Sequence, residues 1–466
     1  MKKSTGRGIK SPAGERVPER GESIISDADL TGSDVNRTAS KHVIADNPSS
    51  KLSWLSKLGP GLVTGAADDD PSGIATYSQA GAQFGFNMLW TIIITYPLMV
   101  SIQMISALIG CVSGHGLATN IRRQYSIKLL YAIVSLLLVA NVINIAADIA
   151  AMGEAFRLLA GGSAIFYGIC FGLVSLALQI FIPYTRYVRI LKWLTLALFS
   201  YVAIVFTQNI AWLEVGTAII KPHFQWKPEY ITTIVAVFGT TISPYLFFWQ
   251  ASQEVEEQLH SSELKPLIKS PGLAVGQIQR IKVDTYTGMG FSNIVAFFIM
   301  LTTALTLHRH GITDIQSSAQ AASALRPIAG DFAFWLFSIG IIGTGLLAIP
   351  VLAGSAAYAF AGTFKWKNSL EMQPKMARQF YSIIAIATLL GVALSCTSVD
   401  PIKALYWSAV INGVISVPIM AVMMCIASNP VSMGRFVISR RLKFMGWLTT
   451  GIMGCAVLAM GWFSFM

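Results

Sequence analysis

Asp68-Asp69-Asp70-Pro71-Ser72-Gly73 decides the fold. The run lies inside a long apolar stretch, 55–98, that otherwise reads as two membrane passes with a turn near Asn87. Three carboxylates at membrane depth are costly unless they line a wet cavity or hold a cation. Pro71 and Gly73 break the helix beside them. Broken helix at that depth survives only where protein or a cavity surrounds it. A buried acid at a helix break is one way membrane proteins build an ion site.

The rest of the chain agrees with a membrane setting. Of 466 residues, 54% are hydrophobic and 12% charged, where a soluble domain carries about 25% charged residues. The net charge of +11 does not indicate nucleic acid, because the basic residues gather in the N-terminal tail and in loops, as topology signals do. Cys111, Cys170, Cys396, Cys425 and Cys455 all fall in apolar segments without metal-type spacing, and read as small core residues. The first fifty residues lack the apolar core of a signal peptide. Polar and mixed in charge, 1–50 reads as a disordered cytosolic tail.

About eleven segments of spanning length follow. They lie near 55–86 (interrupted), 88–111, 127–152, 163–182, 190–210, 230–257 (interrupted), 285–307, 332–361, 379–397, 401–427 and 444–465. The connections after the even-numbered segments hold about eighteen Lys and Arg, against about six in the opposite loops. That bias puts the N-terminus in the cytosol and, with an odd number of spans, the C-terminus outside. The membrane is expected to be the plasma (inner) membrane.

A second interruption occurs in the sixth segment, at Gly239-Thr240-Thr241-Ile242-Ser243-Pro244-Tyr245. Segments one to five and six to ten therefore each open with a broken helix and have opposite orientation. This is an inverted repeat, about 55–210 and 230–427, with an extra helix at 444–465. In such architectures the site lies between the two breaks. The fold expected is an all-α polytopic membrane protein.

At each break the simplest role is local. Asp and Ser are good N-caps and Pro suits the first helical position, so Asp70-Pro71 and Ser243-Pro244 restart a helix. That does not compete with ion binding: unwound turns free carbonyls, and Asp70 keeps acceptor capacity after capping one N–H. Asp68 and Asp69 line an entry path, or one of them is neutral by protonation, since three adjacent buried carboxylates cannot all ionise cheaply; together they raise the negative field, which favours a multivalent cation. In the third segment Asn141, Asn144 and Asp148 share one helix face. They serve either interhelical hydrogen bonding or a proton path. Glu254, Glu256 and Glu257 are expected at the cytosolic interface, solvated or in an inner-gate salt bridge. His308 and His310 read as surface residues.

At these residues the chain resembles the natural resistance-associated macrophage protein family of divalent-metal transporters. Gly59-Pro60-Gly61 with Asp70-Pro71-Ser72-Gly73 is similar to the family's GPG…DPGN. Gln103, Ser106-Ala107, Gly110 and Ser113-Gly114-His115-Gly116-Leu117-Ala118 resemble its run after the second helix. Ala147-Asp148-Ile149-Ala150 resembles its TDLA, and Ser243-Pro244-Tyr245 stands where the family has Met-Pro-His. The resemblance covers roughly 52–427 and implies a LeuT-like 5+5 inverted repeat with helices one and six broken. It also implies a metal seat at Asp70, the Ala67 and Thr240 carbonyls and Ser243, with Gly73, Thr241, Tyr245 and Gln250 lining it.

Departures from the family pattern shape the functional expectation. Gly73 replaces the family's Asn and Ser243 its Met, which removes the soft thioether. Oxygen ligands and room for water suit Mg²⁺, with Mn²⁺ possible. The pattern resembles the family's magnesium-transporter branch. Tyr245 replaces the family's His, and a phenol with a pKa near 10 is a poor relay at neutral pH. Ala151 replaces an acid three positions after Asp148. Proton coupling is therefore doubtful, and the membrane potential, worth roughly 4–5 kcal/mol per 100 mV for a divalent ion, is the alternative drive. The alternative cargo is a small organic solute, an amine or amino acid, lined by Tyr77, Tyr245, Phe247, Phe248 and Trp249. A non-transporting sensor lacks specific support. No nucleophile–base set or cofactor motif suggests an enzyme. The partners expected are the transported ion and the bilayer, with the chain a monomer and no resident cofactor.

Overall fold

The structure is a computed structural model that describes residues 60–183, 186, 197–206, 210–260, 264–397 and 399–464. The tail 1–50, the opening of the first segment and residues 190–196 of the fifth lie outside the described residues. Every regular element within them is a helix.

The first segment is two helices, α1 (Pro60–Asp68) and α2 (Pro71–Phe84), separated by Asp69 and Asp70. α3 (Leu89–Ser113), a short amphipathic α4 (Leu117–Gln124), α5 (Ile127–Ala160) and α6 (Ala164–Phe181) follow. Of the fifth segment the described part is α7 (Phe199–Val205), and α8 (Trp212–Ile220) lies in the next connection. The sixth segment is again split, into α9 (Pro228–Thr241) and α10 (Pro244–His260). α11 (Ala274–Thr306), α12 (Ala333–Phe364), α13 (Arg378–Ser395), α14 (Pro401–Ala427) and α15 (Arg440–Ser464) complete the chain. Among the described residues nine helical stretches are long and apolar enough to cross a membrane. The expected count of about eleven also includes the first segment, half of which is the nine-residue α1, and the partly described fifth.

Most boundaries fall within a few residues of expectation. The seventh segment does not: α11 starts at Ala274, eleven residues before the expected 285. Arg280, Lys282 and Asp284 depress the hydropathy of its first turns. The helix nonetheless continues, because Arg280 and Asp284 find partners on α10 and α1.

Both halves of the first segment pack on α11, while α10 of the sixth packs on α3. Helix one on seven and helix six on two are equivalent contacts under an inverted repeat. α5 and α12 pack together at the centre, and α9 lies along α14. The approaches are close. A Cβ at Gly65 would strike the Gly288 carbonyl of α11, and one at Gly239 the Ala409 carbonyl of α14. Gly65→Ala is expected to destabilise by about 1–3 kcal/mol, the usual cost of overpacking, and to lower the midpoint in a thermal-shift assay.

Of the five cysteines only Cys111 is buried; Cys170, Cys396, Cys425 and Cys455 are exposed on the outside of the bundle. The core reading fails for these four because an apolar segment in a membrane protein has a second apolar surface, the one that faces lipid.

Candidate functional site

Proline positions both breaks. At the first, Asp70 is the N-cap of α2: its Oδ1 accepts from Gly73 N at 2.8 Å and from Ser72 Oγ at 2.7 Å. Its Oδ2 accepts from Asn144 Nδ2 of α5 at 3.0 Å and from Tyr245 OH of α10 at 3.2 Å. The Tyr245 hydroxyl also lies 3.3 Å from the Ala67 carbonyl. With one proton it donates to one of them at a time. Asn144 is oriented in turn by Ser408 of α14, whose Oγ donates to Asn144 Oδ1 at 2.7 Å.

At the second break Ser243 turns backward. Its hydroxyl donates to Gly239 O at 2.9 Å and to Thr240 O at 2.7 Å. Two of the expected ligands, Ser243 and the Thr240 carbonyl, are therefore neighbours that share a hydrogen bond. The Thr240 Oγ1 lies 3.4 Å from Ser72 Oγ, which links the two breaks. Thr241 Oγ1 sits 2.9 Å from Tyr77 OH. Gly73 faces this space: a Cβ there would lie 3.3 Å from Asp68 O and 3.4 Å from Thr240 Oγ1. Asp68, Asp69 and Asp70 are all buried. Among the described residues no three His, Cys, Asp or Glu side chains are grouped so as to hold a metal between them. Asp70 meets α5 and α10 whereas Asp68 and Asp69 meet Ser292 of α11, so a cation seat at Asp70 must draw on carbonyls and hydroxyls.

The polar face of α5 divides in two. Asn141 Nδ2 donates to Leu352 O and Ser355 Oγ of α12, both at 2.8 Å, which is interhelical bonding. Asn144 reaches Asp70. Asp148, one turn further on, is buried with neither carboxylate oxygen meeting a protein donor. Gln250 lies on α10, two turns past the break. It accepts from Thr64 Oγ1 at 2.5 Å and donates to Glu254 Oε1 at 3.3 Å.

Glu254 and Glu256 do not reach water. Glu254 is fully buried and ion-paired with Arg280 of α11 at 2.5 Å, and Arg280 also pairs with Glu257. Glu256 accepts from Tyr358 OH, Ser369 Oγ and Leu370 N. Of the two expectations the salt bridge is met by Glu254 and Glu257, both on Arg280, with Glu257 still partly exposed. Asp284 Oδ2 accepts from Gly61 N at 2.6 Å and so anchors the start of α1 on α11. At the other end of the bundle a cavity of about 320 Å³ is lined by Gln79, Glu229, Asp314, Lys403, Tyr406 and Trp407 among others. Tyr406 OH lies 2.9 Å from Thr233 Oγ1, beneath it.

His308 is not a free surface group: its Nδ1 lies 2.8 Å from the Ala82 carbonyl and ties the end of α11 to α2. The run Ser113–Ala118 is architectural. Gly114 takes φ 66°, and Asn120 Nδ2 donates to Ser113 Oγ, His115 O and Gly116 O. Burial lowers the His115 imidazole from its ordinary pKa, and its Nε2 lies 2.7 Å from Arg123 Nη2.

The family model described as Natural resistance-associated macrophage protein-like matches residues 61–462. The chain belongs to this family. It is accordingly a multi-pass membrane protein. Among solved structures it is similar to the Eremococcus coleocola manganese transporter in complex with an aromatic bis-isothiourea substituted compound. There the TM-score is 0.66 at 18% identity, over 89% of this chain and 88% of that one. It is also similar to Mhp1, a nucleobase-cation-symport-1 family transporter. The closed conformation with bromovinylhydantoin bound gives a TM-score of 0.56 at 12% identity, over 88% of this chain and 92% of that one. The inward-facing Mhp1 gives 0.51 at 13% identity, over 87% and 91%. These likenesses concern the fold, and they agree with an inverted repeat whose first and sixth helices are broken.

The sequence gives no role to Ser72, Ser292 or Ser408, yet Ser72 and Ser292 each contact an acid of the first break and Ser408 orients Asn144 against one. A lone hydroxyl on an apolar helix has no pattern of its own. The nearest signal was its spacing on a face turned toward the break.

Proposed function

We propose that this chain imports a hard, partly hydrated divalent cation, Mg²⁺ first and Mn²⁺ second, by alternating access. The seat lies between the two breaks. Asp70 supplies the charge, Ala67 and Thr240 the carbonyls, and Ser243 a hydroxyl, while Gly73 keeps a side chain from crowding Thr240 and Asp68. Asp148 and Asn144 are the residues available to a proton path, but Tyr245 interrupts it at the position of the family's His. We read transport as driven by the membrane potential. The chain works as a monomer in the plasma (inner) membrane, with its N-terminus cytosolic and its C-terminus outside. The repeats are about 55–210 and 230–427, and the helix at 444–465 lies outside the repeat.

One observation carries this reading: the groups around Asp70 are a carbonyl, hydroxyls and amides, and a hydroxyl stands where a thioether would favour softer metals. Mg²⁺ takes oxygen ligands and keeps several waters.

Proteoliposomes enclosing a pH-sensitive dye test it. Mg²⁺, Mn²⁺, Fe²⁺ and Ca²⁺ are offered in turn at fixed potential. Uptake of Mg²⁺ and Mn²⁺ without acidification is expected. Ser243→Met should shift preference from Mg²⁺ toward Mn²⁺ and Cd²⁺. Absence of any divalent uptake, with no heat of metal binding, would sink the reading in favour of an organic solute.

A further inference from the structure

One turn from the Asp70 network, two buried amides stand opposite each other with polar atoms left over. Two bonds set α5 and α14 antiparallel. Gln124, just ahead of α5, accepts from Asn429 Nδ2 beyond the end of α14 at 3.0 Å, and Ser408 of α14 donates to Asn144 at 2.7 Å. One turn further, backward along α5 and forward along α14, come Asn141 and Asn412, which therefore lie across from each other on the same faces. Both are buried, Asn141 0% and Asn412 1% exposed. Asn141 commits its Nδ2 to Leu352 O and Ser355 Oγ, but its Oδ1 meets no protein donor. Among the described residues neither Nδ2 nor Oδ1 of Asn412 meets a partner. The next residue, Gly413, touches the second break: a Cβ there would lie 3.3 Å from Gly239 Cα. α14 also packs on α2, the helix that Asp70 caps. A buried amide without hydrogen bonds is costly, and such groups are kept where water or a ligand answers them.

We propose that Asn141 and Asn412 form a hydration subsite of the cation seat, holding a water that the ion keeps. A water bound to a cation through its oxygen has two hydrogens to donate, and the two unpaired amide oxygens are two acceptors. The Asn412 Nδ2 donates to a second, free water. The reach is right. One helical turn is about 5.4 Å. An ion extends about as far through a retained water, with about 2.1 Å from Mg²⁺ to the water and about 2.8 Å from the water to its acceptor. Mg²⁺ gives up its waters reluctantly, so a subsite for one of them favours Mg²⁺ over ions that shed water more readily. This deepens the transport reading and rests on it for the ion at Asp70.

The full chain in proteoliposomes is assayed for Mg²⁺ and, separately, Mn²⁺ uptake at fixed potential. Asn412→Leu, similar in size, and the smaller Asn412→Ala should each raise KM for Mg²⁺ about tenfold, the effect of a lost hydrogen bond, and KM for Mn²⁺ less than about twofold. The amide meets no protein partner, so neither change removes a hydrogen bond of the fold. Asn412→Ser, whose hydroxyl accepts a hydrogen bond, should restore most of the Mg²⁺ affinity. A Mg²⁺ KM unchanged in both apolar variants, or raised equally for the two ions, overturns the subsite and leaves the Asp70 reading standing. If Asn412→Ser behaves as Asn412→Leu does, Asn412 acts through shape, and the subsite falls as well. If the wild type takes up neither ion, the transport reading fails and the subsite with it.

Discussion

Asp70→Asn should abolish divalent uptake while leaving the protein folded. The two consequences separate because Asp70 has two jobs on different atoms. Its Oδ1 caps α2 through Gly73 N, and Asn caps about as well as Asp. Its Oδ2 is the charged oxygen turned toward Tyr245 and Asn144. Substitution by Asn preserves the first, removes the charge behind the second, and sets an amide donor where Asn144 and Tyr245 donate. Removing one partner of a buried charge interaction costs about 3–5 kcal/mol, equivalent to a loss of at least about a hundredfold in binding. Uptake in proteoliposomes should fall to the rate of empty vesicles, with the metal-free protein still folded but its thermal midpoint lowered by the lost Asn144 hydrogen bond, worth about 1–3 kcal/mol. Asp70→Ala loses the cap as well, worth about 1 kcal/mol, and should be less stable besides inactive. Substantial uptake by Asp70→Asn would mean that the charged ligand lies elsewhere.

What could be read from the residues follows what the membrane penalises. Pro71, Pro244 and the acids before Pro71 are so unfavourable in a continuous spanning helix that their positions announce the breaks. The structure has helices ending at Asp68 and Thr241 and restarting at those prolines. Asp70 as a cap and Asn144 as part of an inward face were readable for the same reason. Side-chain direction was not. Three adjacent Asp residues look like one cluster in the sequence, whereas Asp70 meets α5 and α10, and Asp68 and Asp69 meet α11. Ser243 looks like a cap, but its hydroxyl turns to Gly239 and Thr240. Arg280 and Asp284 looked like loop residues, because hydropathy counts charges singly and cannot register that Glu254 and the α1 backbone answer them across the bundle.

Those answered charges lead to the other large effect, at the α1 end of the molecule. α1 is fastened there by Asp284 to Gly61 N and by Thr64 to Gln250. Gln250 in turn donates to Glu254, the carboxylate that Arg280 neutralises. The tether on α1 and the Arg280 pair therefore share one buried group. Arg280→Met leaves Glu254 fully buried without its cation, a loss of about 3–5 kcal/mol in this closed arrangement. An arrangement in which α1 swings away and Glu254 meets water does not bear that loss. The balance should move toward an arrangement open at the α1 end by a factor of about 10² to 4 × 10³, since each 1.4 kcal/mol is tenfold. Cys111 is a native reporter: it is buried, its Sγ lies 2.9 Å from Gln277 Oε1 of α11, and its carbonyl accepts from Gln258 of α10. With the four exposed cysteines replaced by Ser, a hydrophilic maleimide applied from the α1 end should label Cys111 much faster in Arg280→Met than in the parent. Adding Glu254→Gln and Glu257→Gln removes the charges that Arg280 answered, and should restore slow labelling. If labelling of Arg280→Met stays at the parental rate in a folded protein, the cluster does not hold the α1 end shut. If the added Gln substitutions fail to slow it, Arg280 acts there through packing rather than charge.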